Sequence, residues 1–318
     1  MLSFLPGPLR CILALSLYLI NTLFWVGPLV GFSILKLLIP FKFWQYLSRL
    51  VIDFIANSWI HCNSFNLWLM HKVDIEVTGL ETLENKKWFV VVSNHQSWVD
   101  ILVMQKILIG RIPFLKFFLK KELIWVPIMG LAWWALDFPF MKRYSRQFLK
   151  KNPHLKGKDI EITRKACERF TTIPVSVVNY MEGTRFTPAK HAKQQSPFKH
   201  LLKPKAGGIA FVLGAMGEMM TGIVNITIVY PEGPKDFWQF LSGKLSKVKV
   251  HIEVLPVSDE IIGDYFEDEV FRTRFQEWVN ALWVEKDKVF ERMLNGESPE
   301  GVLSEDANAV EERLKEAS

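Results

Sequence analysis

The sequence predicts an α/β domain, a sheet flanked by helices, preceded by a membrane-embedded helical segment. Three observations carry that prediction. Val90-Val91-Val92-Ser93 is a Val-rich apolar run of buried-strand character that stops at polar Asn94-His95. Apolar residues then recur at Val99, Leu102, Val103 and Ile107, a helical spacing, so a strand hands over to a helix at the polar break. Finally, the 25 residues 11–35 carry no charge, which exceeds the roughly 20 that a helix needs to cross a hydrocarbon core.

The 318 residues allow one large domain or a domain with an appendage. Hydrophobic residues make up 49% and the mean hydropathy is +0.13, which excludes a disordered chain. Cys11, Cys62 and Cys167 are too few and too widely spaced for a disulfide framework or a metal-ligand pattern, and they fit a reducing, cytoplasmic setting for the main domain.

The apolar segment lacks the short core and small-residue cleavage site of a signal peptide. Gly27-Pro28 and Gly31 interrupt it, so a kinked span and a re-entrant path both stay open. Residues 41–71 mix Phe43, Trp44, Tyr46, Trp59, Phe65 and Trp68 with few charges, a composition suited to the membrane interface. Lys36, Lys42, Arg49 and Lys72 follow the first segment, against Arg10 and the amino terminus before it. The positive-inside rule then places the following domain on the cytoplasmic face, of the inner or plasma membrane if the source is bacterial. The expected organisation is membrane-anchoring helices over 1–72, an α/β domain over 73–295 and an acidic tail over 296–318.

Within the domain, Val73 to Val77 alternates as a strand and ends at Gly79. A second apolar run, Ile173 to Val178, ends in Glu182-Gly183-Thr184-Arg185. Residues 223–230 and 248–257 read as further strands, and 265–295 as a long amphipathic helix. Lys205-Ala206-Gly207-Gly208 opens an apolar helix over 209–220; it presents backbone N–H groups to an anion or simply makes a turn. The chain turns basic from Lys142 to Arg169, and no acid occurs from 183 to 217. A pI near 9.1 would also suit nucleic acid, yet no nucleic-acid motif accompanies the charge. The basic stretches suit phosphate and anionic headgroups instead.

His95 and Asp100 are the candidate catalytic pair. A carboxylate in the first turns of the helix can return to one imidazole nitrogen, leaving the other as a base. Taken alone, His-x4-Asp more often describes a buried histidine beside a surface aspartate. The second polar break at Glu182 shifts the balance, because two neighbouring strands ending in reactive or anion-binding groups would feed one site. Arginine grips a phosphate at two points better than lysine does, which singles out Arg143 and Arg185.

Four blocks now appear in order. Asn94-His95-Gln96-Ser97-Trp98-Val99-Asp100 fits an NHxxxxD motif, and Glu182 to Arg185 fits an EGTR motif. Phe138-Pro139-Phe140-Met141-Lys142-Arg143 and Val224 to Pro231 supply the two lesser blocks. Over roughly residues 75–235 the sequence resembles the glycerolipid acyltransferases related to 1-acylglycerol-3-phosphate O-acyltransferase. Met181, where many bacterial members have proline, is more similar to the branch with lysocardiolipin and microsomal-type lysophospholipid acyltransferases.

The resemblance implies a mixed sheet flanked by helices and transfer of a fatty acyl group from acyl-CoA or acyl carrier protein to a lysophospholipid. It implies His95 and Asp100 as catalytic groups, and Lys121, Arg143, Glu182, Gly183, Thr184 and Arg185 as substrate-binding ones. Lys121 faces the phosphate or is a solvated charge; both stay open. Glu182 is expected to orient either Arg185 or the glycerol hydroxyl. No cofactor beyond the activated donor and no metal is implied, and the partners are the bilayer, the lysophospholipid and the donor. 1-Acylglycerol-3-phosphate is the leading acceptor; another lysophospholipid, glycerol 3-phosphate or water (thioester hydrolysis) are alternatives, as is a non-enzymatic membrane role. Ser93 and Ser97 flank His95, but the acceptor brings its own hydroxyl, so direct transfer in a ternary complex is expected.

Overall fold

The computed structural model describes residues 2–141 and 174–299. Arg143, the basic stretch from Lys142 to Arg169, Cys167 and the tail from residue 300 onward lie outside the described residues.

The uncharged segment forms one continuous helix, α1 (Gly7–Leu38), entered through Pro6 and Pro8, with Pro28 inside it. A second helix, α2 (Lys42–Met70), returns alongside. The seam between them is partly polar: Asn21 Nδ2 donates to Asn63 Oδ1 at 2.8 Å and to the Trp59 carbonyl at 3.2 Å. The outer face is apolar, with Leu19, Ile20, Leu23, Phe24, Phe54 and Phe65 exposed. The pair does not stand clear of the rest. Ala14, Leu67 and Met70 pack in one cluster with Phe89, Val91 and Ile226 of the sheet.

The sheet has six strands in the order β1-β8-β7-β2-β6-β3. These are β1 (Asp74–Thr78), β2 (Trp88–Ser93), β3 (Leu115–Phe117), β6 (Ser176–Tyr180), β7 (Met220–Val229) and β8 (Lys247–Leu255). A two-residue parallel pair, β4 (Leu119–Lys120) with β5 (Phe140–Met141), forms a separate small sheet. β2 pairs in parallel with β6 and β7, β3 with β6, and β1 with β8, whereas β7 and β8 are antiparallel. The sheet is therefore mixed.

Its centre is β2, whose Val90, Val91 and Val92 have no exposed surface. Strands covered on both faces read as unbroken apolar runs, which is why Val-Val-Val serves here without alternation. Fully burying each such side chain contributes about 1.5–3 kcal/mol. On one face Val90 and Val92 meet α6 (Ala206–Met216) and α8 (Glu269–Asn295) through Leu213, Phe275 and Trp283. On the other, Phe89 and Val91 meet α3 (Val99–Leu108) through Val103 and Met104. A third cluster seats α1 and α2 on α4 (Met129–Ala135). There Ser33 Oγ donates to the Ala135 carbonyl at 2.9 Å, and Lys36 pairs with Asp137 at 2.6 Å. Two short helices complete the described fold, α5 (Pro188–Gln194) and α7 (Phe237–Leu241).

The long carboxyl-terminal helix starts four residues later than its apolar stripe suggests. Asp268 accepts from the Val270 and Phe271 N–H groups, both at 2.9 Å, and caps it there. Gly296, at φ 82°, ends it in the left-handed conformation.

Candidate active site

Three neighbouring parallel strands, β6, β2 and β7, present their carboxyl ends side by side. Such an edge is where open α/β sheets gather ligand-binding groups. Ser93 of β2 is in register with Tyr180 of β6, so His95 and Glu182 lie equally far beyond their strands. β7 delivers Tyr230 just past its last residue.

Asn94 fixes where the β2 chain turns. Its Nδ2 donates to the Ile228 carbonyl at 2.8 Å, and its Oδ1 accepts from the Ile228 N–H at 2.9 Å. The buried amide thus continues the ladder between β2 and β7 for one more step.

Asp100 sits in the first turn of α3 with no exposed surface. Its Oδ2 accepts from His95 Nδ1 at 2.8 Å and from the Gln96 and Ser97 N–H groups at 2.7 and 3.0 Å. Its Oδ1 accepts from the Tyr230 hydroxyl at 2.5 Å. Four donors suit an acceptor-only carboxylate. Burial, with the Asp100 charge added, holds the Tyr230 phenol well above its ordinary range, so it stays a donor. The proton on the imidazole is then directed to Nδ1, and Nε2 keeps its lone pair. The His95 side chain is 15% exposed, a narrow opening for the free nitrogen. Its ring stacks on Tyr180 at 4.0 Å between centres and 15° between planes.

The His95 backbone is held by the second motif. Its N–H donates to Glu182 Oε2 at 2.8 Å, and its carbonyl accepts from the Phe186 N–H at 2.7 Å. The other Glu182 oxygen accepts from the Leu202 N–H at 2.9 Å. Glu182 has no exposed surface. Burial pushes its carboxyl up to about 8, against the opposing pull of those two N–H donors.

Gly183 follows at φ 67°, a conformation natural to glycine. A Cβ there would also lie 3.0 Å from Lys205 Nζ. Lys190 Nζ donates to Thr184 Oγ1 at 2.7 Å and to the Arg185 carbonyl at 2.9 Å, tightening the turn. The Arg185 guanidinium lies 3.9 Å from the centre of the half-exposed Trp98 ring. Stacking of this kind engages the face of the guanidinium and leaves its in-plane N–H edges for an oxyanion.

Residues 74–231 match the family model described as Acyltransferase. The chain belongs to the acyltransferase family. Among similar curated proteins is "2-acyl-1-lysophosphatidylinositol acyltransferase" of Saccharomyces cerevisiae, 26% identical over 64% of this chain and 60% of that protein. Another is human "1-acyl-sn-glycerol-3-phosphate acyltransferase alpha", 28% identical over 59% of this chain and 56% of that protein. The chain thus spans between half and two thirds of the length of these relatives. The crystal structure of the 1-acyl-sn-glycerophosphate acyltransferase PlsC from Thermotoga maritima aligns with a TM-score of 0.46 and 20% identity, over 87% of this chain and 98% of that one.

In this acyltransferase domain His95, Asp100, Glu182, Gly183, Thr184 and Arg185 share one site. Lys121, exposed at the start of a 3₁₀ helix (Lys121–Trp125), makes no direct contact with these groups among the described residues. Glu182 differs from the expectation that it faces the acceptor or Arg185. Both its oxygens are taken by backbone N–H groups, which makes it an anchor of the His95 loop. The acid-free stretch 183–217 is also partly neutralised from a distance. Asp287 of α8 accepts from the Lys199 and His200 N–H groups, and Glu291 pairs with both side chains. Asn94 and Trp98 lie inside the NHxxxxD block and Tyr230 inside the block 224–231, yet the sequence gives none of them a role of its own. Lys190 stands out only as one of the basic residues of the acid-free stretch, and Tyr180 only by its place at a strand end.

Proposed function

We propose that the chain transfers a fatty acyl group from acyl-CoA or acyl carrier protein to the free hydroxyl of a lysophospholipid, with 1-acylglycerol-3-phosphate as the leading acceptor. The observation that carries this reading is the Asp100-oriented imidazole, its Nε2 without a partner among the described residues, beside the Arg185 turn. In the proposed reaction His95 Nε2 takes the acceptor hydroxyl proton as the oxygen attacks the thioester carbon. The tetrahedral intermediate collapses, the C–S bond breaks, and the departing thiolate recovers the proton from His95. Asp100 supports the imidazolium in between. Because the donor arrives as an activated thioester, the transfer calls on no further cofactor.

Arg185 would grip the acceptor phosphate, with Gly183 and Thr184 shaping the turn and Glu182 holding the His95 loop. The substrate-binding roles of Arg143 and Lys121 are part of the same proposal. The apolar outer face of α1 and α2 would embed in the bilayer, with the α/β domain on the cytoplasmic face; α1 is long and apolar enough to cross a membrane. Another lysophospholipid is the second reading for the acceptor, favoured by the lysophosphatidylinositol named for the yeast relative.

A panel of lysophospholipid acceptors with one labelled acyl-CoA tests the reading. Thiol release that depends on acceptor and yields labelled diacyl phospholipid is expected. Equal release without acceptor would make the protein a thioesterase, and no turnover with either donor would remove the enzymatic reading.

A further inference from the structure

We infer that Tyr180 is a positioning residue for the transfer step: its ring face holds the His95 imidazole in place and stabilises the positive charge that ring acquires with the acceptor proton. This role rests on the reaction proposed above and gives part of it to a residue outside the NHxxxxD and EGTR motifs.

Tyr180 is the last residue of β6 and the register partner of Ser93, so its ring arrives beside the turn that carries His95. The two rings lie 4.0 Å apart between centres and 15° from parallel. Aromatic pairs more commonly sit about 4.5–7 Å apart. The imidazole thus presents its face to Tyr180 and keeps both nitrogens in its own plane, Nδ1 on Asp100 and Nε2 for the acceptor.

Tyr180 is itself fixed from two sides. Its hydroxyl donates to Met104 Sδ of α3 at 3.4 Å, and Phe117 of β3 stacks on its ring at 6.1 Å and 23°. Burial, with the Asp100 charge added, holds the phenol well above its ordinary range, so the hydroxyl keeps its proton. A hydroxyl committed to a sulfur and resistant to ionisation is no acid–base partner for His95. What Tyr180 offers the imidazole is the π face.

That face acts at one moment of the reaction. While the imidazole is neutral, the stack is a dispersion contact. Once Nε2 holds the acceptor proton, a cation lies over an aromatic face, and enclosure strengthens the attraction because the His95 side chain is only 15% exposed. Asp100 supports the same charge within the ring plane, and Tyr180 supports it from the face. An interaction that appears only with the charge raises kcat and leaves KM alone.

Fluorination tests this role without reshaping the side chain, because each fluorine drains electron density from the ring face. Full-length protein is prepared as Tyr180→Phe and with p-fluorophenylalanine or trifluorophenylalanine in place of Tyr180. Acyl transfer from labelled acyl-CoA to 1-acylglycerol-3-phosphate is then followed. Tyr180→Phe is expected to keep kcat within about twofold of wild type. From phenylalanine to trifluorophenylalanine kcat should fall stepwise, by about tenfold in total, with both KM values and the melting temperature held. Transfer that continues at a constant kcat along the series would make Tyr180 a packing residue and overturn the role. A collapse already in Tyr180→Phe, at unchanged melting temperature, would give the function to the hydroxyl and overturn it too. No transfer by the wild-type protein would remove the reaction itself, and this role with it.

Discussion

Replacing Glu182 separates an anchoring carboxylate from a substrate-binding one. In Glu182→Ala, the His95 and Leu202 N–H groups lose their acceptors at a side chain that has no exposed surface. Each buried unsatisfied donor costs about 1–3 kcal/mol, giving a destabilisation of about 2–6 kcal/mol before any cavity cost. In Glu182→Gln the amide oxygen can serve one N–H while the NH2 faces the other, so about 1–3 kcal/mol is expected. At about 2–4 °C per kcal/mol for a domain of this size, the alanine variant should melt about 4–24 °C lower. The His95 loop also loses its hold, so turnover should fall at least about tenfold with little change in KM. Differential scanning fluorimetry and initial-rate kinetics on the same preparations check both parts. An unchanged melting temperature with a raised KM would refute the anchor and restore Glu182 to the acceptor.

Three further outcomes are expected. Burial lifts Glu182 from 4.5 to about 8, so its contribution to stability is greatest below about 4.5 and is lost as pH rises to 8. Lys286 of α8 is buried with its Nζ donating to the Ile226 carbonyl at 2.7 Å. Burial drops it from 10.5 to about 7, so its contribution grows as pH rises from 7 toward 10.5. Melting temperature against pH should therefore lose its fall in Glu182→Gln and its alkaline rise in Lys286→Met, and profiles parallel to wild type would contradict both assignments. Full-length protein should stay with membranes through high-salt and carbonate washing, because apolar burial is insensitive to screening; release by salt alone would leave only a charge-held association. Enzyme mixed with labelled acyl-CoA alone should show no acyl adduct by intact mass, and a stoichiometric adduct that vanishes on adding lysophospholipid would replace direct transfer by a covalent relay.

What the sequence made legible is what is local. The Val90–Val92 run, its polar stop and the helical spacing after it place His95 at a strand end and Asp100 within reach, as found. The second apolar run places Glu182 at the end of another strand, and β6 is indeed the neighbour of β2. Contacts that depend on register or distant packing were not legible. Tyr230 reaches Asp100 across 130 positions only because β7 lies beside β2. Tyr180 meets His95 because its register partner is Ser93. Lys199 and His200 find their acids 87–92 residues away on α8, so an acid-free stretch of sequence is not an acid-free surface. The anchoring role of Glu182 depends on Leu202, which arrives from the far end of the intervening loop. Membrane-type composition likewise hid the inner face of α1, where Asn21 and Ser33 bind α2 and the domain.

The central claim is that His95 removes the proton from the acceptor hydroxyl. Its most direct measurement is the rate of labelled acyl transfer from acyl-CoA to 1-acylglycerol-3-phosphate by His95→Ala, in a preparation whose melting temperature matches wild type. Turnover should be lower by at least about a hundredfold, since positioned general-base catalysis contributes at least that factor. Near-normal turnover by the folded His95→Ala protein would contradict it.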